Sequence, residues 1–414
     1  MASSSPAFDS LGSGPFRRDA LTIGLVGVAH CFSHFFQLVL PPLFPLIQQE
    51  LGVGFVTLGA VISVFYVASG VSQVAAGFAV DRFGARPVLF AGLALLAGGC
   101  VAAGAAGRIE VLFMLALAMG MGNGVFHPAD FAILNARIRG SRLGYAYSIH
   151  GVGGSLGYAL APIVSFGIAS VLGWRAALML MGPGGLVLLG IIVSQRDALL
   201  APAHRASGKR FATASLAIFR ERAIRLCFVF FGIYTLAVIT VQTFSAPALH
   251  RAFAIPLGAA TTAVTAYLLG STAGILAGGV LASRTRHHDR VAGAGLAAGA
   301  ALMLAIGSVP LPFLALVTLM AAAGFALGST GPSRDMIVKA ATPPGASGRT
   351  YGFVYSGLDL GATLAPLMAG ALMDRGAYRG VFYATAAVLV LCVVVVMQAG
   401  RGAAPRVAVK AAGD

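Results

Sequence analysis

Apolar residues in this chain come in long unbroken runs, each closed by a short cluster of charged, Gly or Pro residues. Six runs lie at about 20–47, 55–80, 87–106, 111–138, 143–170 and 174–194, and six more at about 223–249, 258–283, 290–308, 312–339, 349–374 and 378–400. Each has the roughly 20 residues that an α-helix needs to cross a bilayer. None shows the short alternating segments of a membrane strand. In hydrocarbon only a helix or a closed barrel satisfies every backbone polar group. The pattern therefore predicts an all-α polytopic membrane protein, with twelve transmembrane helices (spans 1 to 12) in two six-helix bundles. Residues 1–16, rich in Ser, Gly and Pro, are expected to form a disordered tail. The bundles are expected at 17–194 and 223–400, joined by a cytoplasmic central loop at 195–222, with a cytoplasmic tail at 401–414. The first run has no small-residue cleavage site at its end and reads as an uncleaved helix.

Composition agrees with that picture. The chain has 414 residues, of which 58% are hydrophobic and 10% charged, and its mean hydropathy is +0.88. A soluble domain carries about 25% charged residues. A net charge of +15 would suggest nucleic acid in a soluble domain. Here the basic residues occupy short loops, so topology explains them and nucleic acid is not expected as a partner. Of the 28 Lys and Arg, only Arg108, Arg175, Arg251, Arg375 and Arg379 fall in the loops on one side, and Arg334 lies inside a span. The rest fall on the other side. By the positive-inside rule both termini are cytoplasmic, in a bacterial-type inner membrane. Cys31, Cys100, Cys227 and Cys392 are far apart in apolar runs and read as packing residues. No G-x(4)-G-K-[ST] loop is present, which disfavours ATP-driven transport by this chain.

The two halves repeat one another. Residues 120–175 match 324–379 at a constant offset, pairing Gly120 with Gly324, Gly124 with Gly328, Pro128 with Pro332, Tyr147 with Tyr351, Gly157 with Gly361, Pro162 with Pro366 and Arg175 with Arg379. A gapless register that includes Pro, Tyr and Arg implies a six-helix unit present twice in the same orientation. The bundles are thus pseudo-symmetric, an arrangement that can enclose a central site.

The stretch "GFAVDRFGARP" at 77–87 links spans 2 and 3. Gly77 is suited to close helix approach and Gly84 to a tight turn. Asp81 can face a helix N-terminus, and Arg82 and Arg86 can pair with acids or hold the interface. This spacing resembles the signature loop of the major facilitator superfamily, and the resemblance extends over about 17–400. It implies a rocker-switch transporter with a cavity between two bundles, lined by spans 1, 4, 7 and 10. The five residues would form a cytoplasmic gate. The second-half equivalent "GGVLASRTRHHDR" keeps Gly279 and Arg284 but has Ser283 in place of the acid, so an asymmetric gate is expected. The stretch 122–162, with "FHPAD" and a Gly-rich span 5, is similar to the fosmidomycin-resistance-type branch.

Polar residues inside spans are costly and mark interior surfaces. In "AHCFSHFFQ", His30, His34 and Gln37 share one helix face. With Tyr66, His127, Asp130, His150, Tyr234 and Tyr355 they form the expected lining of a substrate cavity. Packing histidines and a metal site remain alternatives. The i, i+4 pair suits one metal, but no sequence spacing supplies a third ligand, so no metal and no cofactor are assigned. Asp359, an isolated acid near mid-span, and Asp130 are the candidates for proton coupling. Arg334 beside Asp335 reads as a local ion pair and as a candidate anion anchor. Pro128 and Pro332 are expected to bend spans 4 and 10 alike. The resulting expectation is a proton-coupled secondary transporter of a small organic molecule, a drug or metabolite, and not an enzyme. Efflux is favoured through the branch resemblance. Its partners are substrate, lipid and protons, and it is expected to be monomeric. Uptake by the same fold, and a membrane redox protein binding metal or haem through His30 and His34, are the alternatives.

Overall fold

The computed structural model describes residues 13–201, 221–342 and 347–403. Most of the expected N-terminal tail and central loop, and most of the C-terminal tail, fall outside the described residues. The described residues are helical, with no strand. Eleven helices among them are long and apolar enough to cross a membrane. Span 1 is α1 (Ser13–Gln37), a 3-10 turn (Pro41–Leu43) and α2 (Phe44–Leu51). Spans 2 and 3 are α3 (Phe55–Phe83) and α4 (Ala85–Gly104), and span 4 is α5 (Ile109–Asn123) with α6 (Phe126–Arg137). Then come α7 (Gly140–Ser194), α8 (Arg222–Phe253), α9 (Leu257–Arg284), α10 (His288–Ser308), α11 (Phe313–Ala341), α12 (Ser347–Asp374) and α13 (Gly380–Ala403).

The 55 residues of α7 would be about 80 Å long if straight, more than twice the hydrocarbon core. The helix breaks at Gly173, whose φ of 81° and ψ of 161° are open to glycine but not to other residues. It therefore makes two passes, spans 5 and 6, and the described residues supply the twelve passes that the sequence pattern predicts. Loops at 84, 138–139, 195–200 and 285–287 share one face with both ends of the described chain. We call this the terminal face and the other the far face.

Two spans differ from expectation by being broken. Span 1 stops being α-helical at Gln37, ahead of Pro41 and Pro42. Span 4 breaks at Gly124–Val125, not at Pro128 itself. Proline lacks an N–H and its ring crowds the carbonyl four residues back, which here belongs to Gly124. Its repeat partner Pro332 lies inside an uninterrupted α11, so of the two spans only span 4 is interrupted.

The repeat is legible in packing. A Cβ on Gly120 would strike the carbonyl of Phe65, and one on Gly324 that of Tyr267; Gly124 and Gly328 abut Ser69 and Ser271 in the same way. Spans 2 and 4, and spans 8 and 10, thus meet backbone to backbone, as small residues allow. Gly153 abuts Gly27 and Gly157 abuts Cys31, while Gly357 abuts Phe228 and Gly361 abuts Gly232. His30, just before Cys31, therefore has Phe231, just before Gly232, as its counterpart.

The halves join along two related seams, α3 against α12 and α7 against α9. The first is closed toward the far face. There Asp374 accepts hydrogen bonds from the backbone N–H of Phe55 (2.6 Å) and Val56 (2.9 Å), so one half caps a helix of the other. Ser63 donates to the carbonyl of Thr363 (2.7 Å), and Gly59 abuts Pro366. At Gly70 the neighbour is Asp359, 3.3 Å from a built Cβ. One further turn pair along, Gly77 meets nothing within 4 Å, and neither does its counterpart Gly279. Gly77 therefore makes no close helix approach in this conformation, because α3 and α12 have parted there.

Candidate functional site

The break in span 4 starts α6 at Phe126, which places His127 and Asp130 in and just past its first turn. The helical phase of α1 brings His30 and His34 to the same point, and α7 brings His150. His150 Nε2 lies 3.0 Å from Asp130 Oδ2, and His30 Nδ1 lies 3.2 Å from the same oxygen. The His30 and His150 rings stack at 3.6 Å, His34 is 4.4 Å from His30, and His127 is 5.2 Å from His30. His127 is exposed and faces Gln73 Oε1 at 3.4 Å. Thus five of the expected residues form one cluster.

Gln37 belongs to an adjoining polar chain. Tyr158 donates to Gln37 Oε1 (2.7 Å), Gln37 donates to Asn123 Oδ1 (2.8 Å), and Asn123 donates to Ser69 (2.9 Å). The Tyr158 ring packs on His34 at 4.3 Å. Tyr66, on α3, sets its hydroxyl beside that of Tyr158 and within electrostatic reach of Asp359. Tyr158 and Asn123 were not among the residues expected from sequence. For Tyr158 the signal is phase, eight residues after His150 on the same helix; Asn123 ends α5, before the break that starts α6, and no helical phase links it to Asp130.

Tyr234 and Tyr355 stand elsewhere, with Arg334 in the second half. Arg334 donates to Asp335 (3.0 Å), as the local ion pair predicts. Its guanidinium lies over Phe231 at 4.4 Å and Tyr234 at 5.5 Å. Tyr355 donates to Asp335 (3.3 Å), and Tyr234 to the carbonyl of Leu327 (3.3 Å). Arg334 occupies the repeat position of Asp130, as Phe231 does that of His30. The two halves thus carry opposite chemistries at one pseudo-symmetric place: an acid with imidazoles, and a guanidinium on aromatics.

In the loop, Gly84 turns the chain at φ 86°, a positive φ that suits glycine. Arg86 donates to the carbonyl of Arg196 (3.3 Å) and lies 4.0 Å from Asp197. Arg82 lies over Phe83 at 5.2 Å. The side chain of Asp81 is outside the described residues.

Twelve passes, two halves with repeated glycine contacts, and two related seams define a transporter-type membrane fold. The chain matches the Major Facilitator Superfamily over residues 26–250 and 235–412, and it belongs to that family. It is 29% identical over 144 residues to the fosmidomycin resistance protein of Escherichia coli (strain K12), covering 34% of this chain and 35% of that protein. It is 32% identical over 139 residues to the probable sulfoacetate transporter SauU of Cupriavidus necator, covering 33% and 32%. The chain thus spans about a third of the length of these relatives. Among solved structures, a bacterial homologue of the lysosomal transporter Spinster, inward-facing and unoccupied, superposes with a TM-score of 0.76 at 15% identity over 94% of this chain and 98% of that one. The nucleoside transporter NupG gives 0.76 at 17% identity over 92% and 99%.

Proposed function

We propose that this protein is a proton-coupled secondary transporter that moves a small organic molecule, a drug or metabolite, across an inner membrane by alternating access, in the direction of efflux. The observation that carries it is the pair of seams. The first is packed near the far face through Asp374, Ser63 and Gly59, and in the second a Cβ on Gly258 would meet Phe166 at 3.2 Å, yet at both related glycines, Gly77 and Gly279, nothing stands within 4 Å. Closing one end while opening the other needs only that the halves rock about the middle. The clustered basic loops make the terminal face cytoplasmic. This conformation then opens inward, with the 77–87 loop as the cytoplasmic gate. Efflux is supported by the resistance protein among the relatives.

The polar chain and histidine cluster of the first half, with Arg334 of the second, supply the substrate-facing groups. Asp359 is the proton carrier in this reading. It sits where the first seam parts, and among the described residues no protein group hydrogen-bonds its carboxylate. Asp130, by contrast, is held by His150. A carboxylate that gains and loses a proton as the seam closes and opens crosses the interior without a bare charge. Asp359→Asn mimics the protonated form. In proteoliposomes it should abolish flux driven by a pH gradient and leave substrate counterflow. Retained gradient-driven flux removes Asp359 from the mechanism. Flux that follows sodium and ignores pH removes proton coupling.

A further inference from the structure

We propose that His30, His34, His127, His150 and Asp130 form a binding site for one divalent transition-metal ion of the zinc class. The third ligand that sequence spacing could not supply comes from tertiary structure. Ligand atoms of His30, His34 and His127 lie within 4.8 Å of one another, and so do those of His30, Asp130 and His150. The two sets share His30, and each supplies three ligand atoms, those of His30, Asp130 and His150 coming from three helices; three protein ligands and one water make a four-coordinate zinc site. Four ligands at 2.0–2.1 Å in a tetrahedron sit about 3.3 Å apart. The two contacts at Asp130 Oδ2, 3.0 and 3.2 Å, are close to that edge.

Plain hydrogen bonding does not complete this cluster. Asp130 is 0% exposed and His30 3% exposed. Asp130 Oδ1, His30 Nδ1 and His34 Nδ1 are nevertheless buried without a hydrogen-bond partner among the protein groups. The 3.2 Å approach of His30 Nδ1 to Asp130 is short but not aligned as a hydrogen bond. Nδ1 of His30 is thus left without a partner beside a buried carboxylate, which is what a ligand position offers to an ion. Imidazole nitrogens with one carboxylate suit zinc, cobalt, nickel and copper in the divalent state, and the absence of thiolate from the set disfavours monovalent copper. His127, the exposed member, gives an ion its way in. The second half has Phe231 and Arg334 at the counterpart positions of His30 and Asp130, so the repeat does not duplicate the site there. Because it is defined by binding alone, it does not depend on what the protein transports.

The test uses the full chain, purified in detergent with a tag that contains no histidine and stripped of metal. Cobalt(II) is titrated by visible absorption and zinc(II) by calorimetry. Wild type should bind one ion, with the cobalt spectrum of a four-coordinate nitrogen and oxygen site, and zinc should raise its unfolding midpoint. His30→Gln should abolish both signals. His150→Gln and Asp130→Asn should each weaken binding at least about tenfold. His287→Gln, on the 285–287 loop, should change nothing. Comparing midpoints without metal separates lost binding from lost fold; if His30→Gln fails to fold, His150→Gln decides. Monodisperse wild type that binds neither ion overturns the proposal. Binding that survives unchanged in His150→Gln and Asp130→Asn also overturns it.

Discussion

At the scale of single residues, Asp374 holds more of the conformation than its place at a span end suggests. Its carboxylate caps α3 across the seam through Phe55 and Val56, where α3's own N-cap residue, Gly54, has no side chain to offer. Caps of this kind contribute about 0.5–2 kcal/mol, and this one counts only while the far face is closed. Asp374→Ala should therefore shift the protein toward the conformation open at the far face. The measurement is labelling of a cysteine at Phe55 from the far side, which should rise; unchanged labelling removes the latch role. Within the first half, Tyr158→Phe should leave Gln37 Oε1 without its donor, at a cost of about 1–3 kcal/mol. The unfolding midpoint in detergent should fall with the chain still monodisperse, and an unchanged midpoint would show that the Tyr158–Gln37 bond contributes nothing.

At the scale of elements, glycines on one helix carry opposite consequences. Gly59 and Gly77 both lie on α3, yet Gly59 abuts the backbone of Pro366 while Gly77 faces open space. Gly59→Leu should overpack the seam and destabilise this conformation by about 1–3 kcal/mol. Gly77→Leu should leave stability in this conformation unchanged but obstruct closure of the terminal face, so flux should fall with no change in unfolding midpoint. Wild-type flux in Gly77→Leu would remove α3 from the closing seam. The sequence shows that both are glycines in a span. It does not show which one is in contact, because that depends on where the second half lies against the first. Pro128 teaches a related point. Its presence in span 4 is legible, but Pro332 sits at the same repeat position without interrupting its helix, so the environment decides whether a proline breaks a span.

At the scale of the whole molecule, the two seams are related by the same repeat that relates the halves. Alternating access should therefore act on both together. Single cysteines at Gly77 and at Gly279, in a background lacking Cys31, Cys100, Cys227 and Cys392, should react with a water-soluble thiol reagent applied from the terminal side. Both should be protected to the same degree when substrate drives the opposite conformation. Protection of one without the other would show that the halves do not move as rigid bodies. Reporters fused to either end of the chain should both read as cytoplasmic, which checks the orientation drawn from the basic loops.

The sequence by itself determined the parts that rest on solvation and on local covalent constraint. Apolar runs of span length have to be helices in hydrocarbon, a twofold repeat has to give two like bundles, and His30 with His34 has to share a face of α1. The loop at 77–87 and the repeat sufficed to indicate the family that the match over 26–250 and 235–412 established. Tertiary structure alone decided which polar groups meet. His30 reaches Asp130 across 100 positions of chain and His150 closes the cluster from a third helix, while Tyr234 and Tyr355 join Arg334 instead. It also decided that Asp374 latches onto α3 and that Gly77 stands open. Periodicity fixes the face a residue occupies on its own helix, but not the helix that face meets. That is set by how small residues let backbones approach, and by the position of one bundle against the other.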